Sequence, residues 1–354
     1  GFRTEGIFTS RIGLFETDDP TPEERVRFFE ALQARLEERP EVGSVGLTTS
    51  LPILGSGWSR VALPGAAYER DQDLPRARTV TVSPGFFETF GVEALDGRLF
   101  GRFDRRDTQP VALVNRPFAS LHFPGENPLG RRVRLGGLDT EEPWRTVVGV
   151  VPDMVLGGQD NEDPEAVYLP LAQGDVRFVS VAATTAGDPM SLAPVVREAV
   201  GALDPDLPIY FVQTMEQAVR LEMWFVDVFG AIFAVFGLAG LVLAVVGLYG
   251  VMAFSVQRRT QEVGIRMALG ADGRRIFGLL VRQGAVQLAV GTAVGIGLAL
   301  ALAQGIRVLL YRVEPWDLSI FAAIVAVILV TGFVATLLPA RRAMAVPPAV
   351  ALRS

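Results

Sequence analysis

Apolar and polar positions follow one rhythm in the first two thirds of the chain and another in the last third. "GIFTSRIGLF" (6–15) has the partial alternation of a strand. In "TPEERVRFFEALQARLEERP" (21–40) the period lengthens, placing Val26, Phe29, Leu32 and Leu36 on one helical face. Thr21, Pro22 and Glu24 supply an N-cap, a first-turn proline and a capping-box partner, and Pro40 stops the helix. The β-branched runs "VGSVGLT" (42–48), "PVALVN" (110–115), "WRTVVGVV" (144–151), "AVYLPL" (166–171) and "FVSVAAT" (178–184) read as strands. The charge-free stretch 42–59 contains too much Gly, Ser, Thr and Pro for an apolar helix and reads as strand and loop. "DPMSLAPVVREAVGALD" (188–204) is a helix with Asp188 as N-cap and Pro189 at its first position. "SPGFFETFGV" (83–92) packs three Phe into a short helix, which suits a core. The order predicts an α+β domain of βαβ-type units with a strand-rich portion around 55–145.

After residue 227 the rhythm gives way to charge-free runs at 228–257, 283–306 and 318–340. A hydrocarbon core of about 30 Å needs roughly 20 apolar helical residues, so each run is long enough to span it. The expected organisation is an extracytoplasmic domain, 1–222, followed by an all-α membrane domain, 223–354. That domain would have three transmembrane helices, at about 228–254, 278–304 and 318–339, and a cytoplasmic loop at 256–277. "TMEQAVRLEMWF" (214–225) repeats apolar residues at helical spacing and reads as a stalk continuous with the first span. Trp224, Tyr249, Tyr311 and Trp316 lie near span ends, where amphipathic rings favour the interface. Gly240 and Gly247, with Ala244 between them, and the GxxxG step Gly291–Gly295 suit close helix packing; ordinary Gly and Ala usage explains them equally well. Asp227 and Arg282 sit at span ends, and the spans hold no deep charge, which argues against a proton relay or ion site.

Charge sharpens the division. All 33 basic residues are arginine, and residues 1–226 carry a net −12 against +6 for 227–354. Arg258, Arg259, Arg266, Arg274, Arg275 and Arg282 lie between the first two runs, and Arg341, Arg342 and Arg353 follow the third. The link between runs two and three has only Arg307 and Arg312, beside Glu314 and Asp317. The positive-inside rule then puts the first loop and the tail in the cytoplasm, and the N-terminal domain outside. Positive charge flanking lipid-length segments does not suit a nucleic-acid partner. The lack of cysteine excludes disulfides and thiolate chemistry, and the lack of lysine excludes a phosphate-binding G-x-x-x-x-G-K-[ST] loop.

No catalytic, cofactor or metal site stands out, so the chain does not read as an enzyme. His122, in "SLHFPGENPLG", has no metal- or triad-forming partner nearby in sequence and reads as structural. "QDNEDPE" (159–165) lacks the order of a calcium loop and reads as solvated, and "GSGWS" (55–59) is not a nucleophile elbow.

"RRTQEVGIRMALGA" (258–271) places a charged helical pattern between two apolar runs. Val263, Met267 and Gly270 share a face with Leu269 close by, and Glu262 and Arg266 stand four apart in the favourable order. Gly270 can end the helix and Asp272 can cap the next. The expected element is a short amphipathic helix along the cytoplasmic membrane face; an interfacial helix that only fixes topology would look the same.

Here the sequence resembles a known family. "QRRTQEVGIRMALGADGRRI" and the ending "LLPARRAMAVPPAVALR" (337–353) are similar to the cytoplasmic loop and tail of MacB/FtsX-type ABC permeases. "GFRTEGIFTSRIGL", "TVSPGFFETFGVEALDGRLF", "VALVNRPFA", "FPGENPLGRRV" and "TVVGVVPDM" resemble that family's periplasmic core domain, nearest to the duplicated, ATPase-less permeases of acidobacterial type. The resemblance implies a multi-pass permease subunit of the bacterial inner membrane. Its cytoplasmic loop would couple to a separate ABC ATPase through Glu262, Gly264, Arg266 and Gly270, and it would pair with a second permease unit as a homo- or pseudo-dimer. A periplasmic partner is compatible with it. The family also has a membrane helix before the outer domain, which implies that a chain starting at "GFRTEG" is partial. A membrane-anchored periplasmic scaffold or regulator with no ATPase is the alternative, and an outer-domain hydrolase lacks a visible nucleophile–base pair.

Overall fold

The computed structural model describes residues 2–14, 21–156, 164–268, 273–305 and 318–344. The chain divides into two compact units, Gly1–Phe225 and Val226–Ser354.

In the first unit, β1 (Ile7–Gly13) is followed by α1 (Pro22–Glu37) and β2 (Val45–Thr48). The helix starts as its sequence dictates. Thr21 accepts from the Glu24 backbone, Glu24 reaches back to the Thr21 N–H, and Val26, Phe29, Leu32 and Leu36 are buried. Thr21→Ala is expected to cost about 1 kcal/mol, read as a lower thermal midpoint.

β10 (Phe178–Thr184) runs antiparallel between β1 and β2, and β11 (Tyr210–Thr214) pairs with the other edge of β1. The order β11-β1-β10-β2 therefore interlocks two split βαβ units, one crossing through α1 and the other through α4 (Leu192–Gly201). Asp188 caps the short 3-10 turn that leads into α4. Alternation puts Phe8, Ile12, Val45, Leu47, Val179 and Val181 against α1 and α4. On the opposite face Ile7 and Ala182 meet Phe86, Phe87 and Phe90, which belong to α2 (Phe86–Thr89) and its C-terminal edge.

Between β2 and β10 the chain builds a second structure. β3 (Gly57–Ala62), β4 (Arg76–Val82), β6 (Val111–Asn115), β7 (Arg132–Leu135), β8 (Arg145–Val151) and β9 (Ala166–Pro170) pair in the order β4-β3-β7-β8-β6-β9. β9 returns to pair with β4 in parallel register, from Arg78↔Ala166 to Val82↔Pro170. The ring is closed: a six-stranded barrel, with the two-residue β5 (Asp96–Gly97) added alongside β8. Its interior holds Val61, Ala77, Ala112, Val114, Val133, Val147 and Val167, with Phe118 and Phe123 from and just after α3 (Arg116–His122). The βαβ-type units of the sequence reading exist in split, interlocked form, and the strand-rich portion extends to residue 170.

Five strands escape the sequence reading: β3, β4, the two-residue β5, β7 and β11. A further expectation is corrected at the end of the first unit. Residues 214–225 do not form one stalk running into the next helix. α5 (Met215–Glu222) starts on its own Thr214–Gln217 capping box and buries Met215 and Ala218 against the sheet, while Leu221 is exposed. It ends at Met223, outside helical geometry, before a separate helix begins at Trp224.

The second unit is helical: α6 (Trp224–Ala268), α7 (Gly273–Gly305) and α8 (Leu318–Met344).

Candidate functional site

Among the described residues two helical segments are long and apolar enough to cross a membrane, Asp227–Val251 and Gly284–Leu302. α8 contains a shorter apolar stretch, Ala322–Ala335. Val228, Phe233, Phe236, Leu238 and Leu243 of α6 and Val290, Leu298 and Leu302 of α7 are exposed. Such a continuous apolar surface is incompatible with water and natural in lipid or under another subunit.

α6 has 45 residues, about 68 Å at 1.5 Å per residue, against roughly 40–45 Å for a whole bilayer with headgroups. Its apolar part ends near Val251, and the helix runs on to Ala268 without a break. The segment 258–268 is thus not a separate helix beside the membrane face, as its amphipathic pattern suggested; it is the far end of α6. The reason is local. "AFSVQRRTQEVGIRMA" holds no proline and one glycine, so nothing stops the helix before Gly270. Glu262, Gly264 and Arg266 lie on this helical backbone, and Gly270 lies outside the described residues, as do Tyr311, Trp316 and most of "QDNEDPE". Four residues separate the end of α6 from the start of α7 at Gly273.

The glycines singled out for helix packing have open surroundings. A Cβ built on Gly240, Gly247, Gly291 or Gly295 meets nothing within 4 Å. Among the described residues α7 and α8 meet elsewhere. A Cβ on Gly332 of α8 would sit 2.5 Å from Leu288 Cδ1 of α7, and Ala335 is buried beside it. The matching stripe is Gly284, Leu288, Thr292 and Ile296 on α7, each less exposed than its neighbours. In the sequence Gly332 is a lone glycine without the GxxxG partner that draws attention, so nothing local marks this contact.

In the first unit His122 has a spatial partner that sequence distance hid. Its Nε2 lies 2.7 Å from Glu165 Oε2, and its ring packs at a tilt against Phe118, with centroids 4.5 Å apart. Asn115 caps α3 by accepting from the Phe118 N–H and also accepts from the Ala166 N–H. The pair ties α3 to the start of β9, so the histidine is a structural clasp. Tyr168 is fully buried between the barrel and α2; burial first, and Asp153 second, hold its phenol above the usual tyrosine range, so it stays neutral.

The MacB-like periplasmic core domain model matches residues 22–200, and the FtsX-like permease C-terminal model matches 234–348. The pyoverdine export ATP-binding/permease protein PvdT of Pseudomonas fluorescens is 25% identical over 278 residues, covering 76% of this chain and 41% of that protein. The macrolide export ATP-binding/permease protein MacB of Acinetobacter baylyi is 28% identical over 288 residues, covering 77% and 41%. The chain spans about two fifths of the length of these relatives. Among solved structures, the periplasmic region of MacB from Actinobacillus actinomycetemcomitans aligns at 16% identity with a TM-score of 0.41, over 62% of this chain and 92% of that one.

Proposed function

We propose a function from one premise: the chain belongs to the family with a MacB-like periplasmic core domain, here joined to an FtsX-like permease region. It is the permease subunit of an ABC-type export or mechanotransmission system in the bacterial cytoplasmic membrane. Residues 1–222 are its periplasmic domain, and 223–354 carry three spans, with the arginine-rich loop and tail in the cytoplasm. The relatives' names combine ATP binding with a permease. This chain has no lysine for a phosphate loop. In this reading ATP is hydrolysed outside these residues, by a cytoplasmic ABC ATPase that docks at Glu262, Gly264, Arg266 and Gly270.

The observation that carries the reading is the unbroken backbone of α6 from the apolar run to Arg266. A helix is stiff along its axis, so a push at its charged end moves the whole rod. An ATPase closing against 258–268 would shift the span as one body, and that displacement would reach the periplasmic domain. The exposed faces of α6 and α7, with Gly240, Gly247, Gly291 and Gly295 unobstructed, suit lipid and a second permease unit.

The orientation is tested by cysteine labelling, which the absence of native cysteine makes clean. A membrane-impermeant maleimide on intact spheroplasts is expected to tag Glu69→Cys and to spare Arg266→Cys until the membrane is opened. The reverse pattern would invert the topology and remove the site from reach of a cytoplasmic ATPase.

A further inference from the structure

The barrel is closed at one end and open at the other. α3 follows the end of β6, and Phe118 and Phe123 fill that side of the interior. At the opposite end lies a cavity of about 550 Å³. Its walls are inward positions of the strands: Ser59 on β3, Thr79 and Thr81 on β4, Leu135 on β7, Arg145 on β8 and Leu169 on β9. A six-stranded barrel is narrow enough for side chains to fill it. Here short hydroxyl side chains leave the mouth empty.

Arg145 is the unusual member of this set. It is 4% exposed. Burial lowers its guanidinium below the ordinary arginine value, with Glu142 acting the other way. Its Nη1 and Nη2 reach Gln173 Oε1 and Glu142 Oε2 only at 3.4 Å, and Glu142 is half exposed. Its Nε and the Thr79 Oγ1 are buried without a hydrogen-bond partner. A buried donor left unmet is costly, and a buried cation more so. The other charges at the rim are engaged: Arg106 with Glu23, and Asp175 with Arg25. Leu135, Pro143, Leu169 and Val176 give the cavity an apolar wall.

We propose that the barrel mouth binds a small amphipathic oxyanion, a carboxylate or phosphate carrying a short apolar group, with Arg145 holding the anion and Thr79 adding a hydrogen bond. A guanidinium fork matches both headgroups, and the cavity sets its polar groups beside an apolar wall, so each part of such a ligand has a counterpart. The site is independent of the ATPase and of the membrane topology.

The test is equilibrium dialysis on the full chain in micelles, with empty micelles as background. Hexanoate and hexyl phosphate are the probes, and hexanol is the uncharged control. At least one of the two anions is expected to bind saturably at one site per chain, and comparing them identifies the headgroup. Arg145→Gln is expected to weaken that binding about tenfold or more, and Thr79→Val, nearly isosteric, about threefold. Glu142→Gln, by removing a competing carboxylate, is expected to strengthen it several-fold. Saturable binding of neither anion, or hexanol binding as tightly, overturns the proposal. So does wild-type affinity in Thr79→Val, a variant that decides the matter even if Arg145→Gln does not fold.

Discussion

Glu262→Arg is expected to reduce recovery of a cytoplasmic ATPase with this chain at least about tenfold, and Arg266→Glu to do the same, because truncating or reversing a charge at a docking surface costs roughly 2–5 kcal/mol. The two residues stand four apart on a helical backbone. Their mutual attraction is worth only about 0.3–0.5 kcal/mol, too little to account for such a loss. The double swap Glu262→Arg/Arg266→Glu separates the cases. It restores the pair within the helix but presents the wrong pattern to a partner, so recovery should stay low. Full rescue by the swap would reduce the pair to a local helix contact, and unchanged recovery in both single variants would remove the coupling role. If no ATPase is ever recovered, the anchored periplasmic scaffold becomes the better description.

The largest effect on stability is expected at Gly46. It sits on β2 opposite Ala182, on the face that meets α2. A Cβ there would stand 2.5 Å from the Phe86 Cα and 3.0 Å from its backbone nitrogen. Those are main-chain atoms that no rotamer change can move. Gly46→Val must therefore lift α2, with its buried phenylalanines, off the sheet. Overpacking of this kind costs about 3 kcal/mol or more, which in a unit of this size lowers the thermal midpoint by roughly 10 °C. Gly187→Ala, where an added Cβ meets nothing, is the matched control. Equal midpoints for the two variants would show that β2 and α2 have room to part.

Much of the frame was legible because it rests on local chemistry. The Thr21–Glu24 box, the Val26–Leu36 face and the β-branched runs of β1, β6, β8, β9 and β10 each carry their own signal. The missed strands do not. β4, "RARTVTV", carries two arginines that look wrong for a sheet until Trp58 on the next strand is seen beneath them, at 5.1 Å from Arg76 and 4.1 Å from Arg78. β3 was hidden by its Gly and Ser, β7 by its shortness, and β11 by its exposure at the sheet edge. Barrel closure depends on β4 meeting β9, a pairing no short window can contain. The same limit hid the partner of His122 and the empty mouth around Arg145. In the helical unit, hydropathy locates the apolar segments, but an amphipathic pattern at 258–268 does not by itself mark a separate helix when no helix-breaking residue precedes it.

The barrel lies within a frame whose strands come from both ends of the first unit, and this orders events as the chain is made. β1 pairs with β10 and β11, so Ile7 waits for Thr184 and Phe8 for Thr214. At about 5–20 residues per second, that leaves the first strand unpaired for roughly 10 to 40 seconds during synthesis. The barrel, whose strands all lie between Gly57 and Pro170, can close inside that interval. The nascent chain thus carries a finished module on an unfinished one, with bare apolar strand edges that a holding chaperone would have to cover until the last crossover arrives.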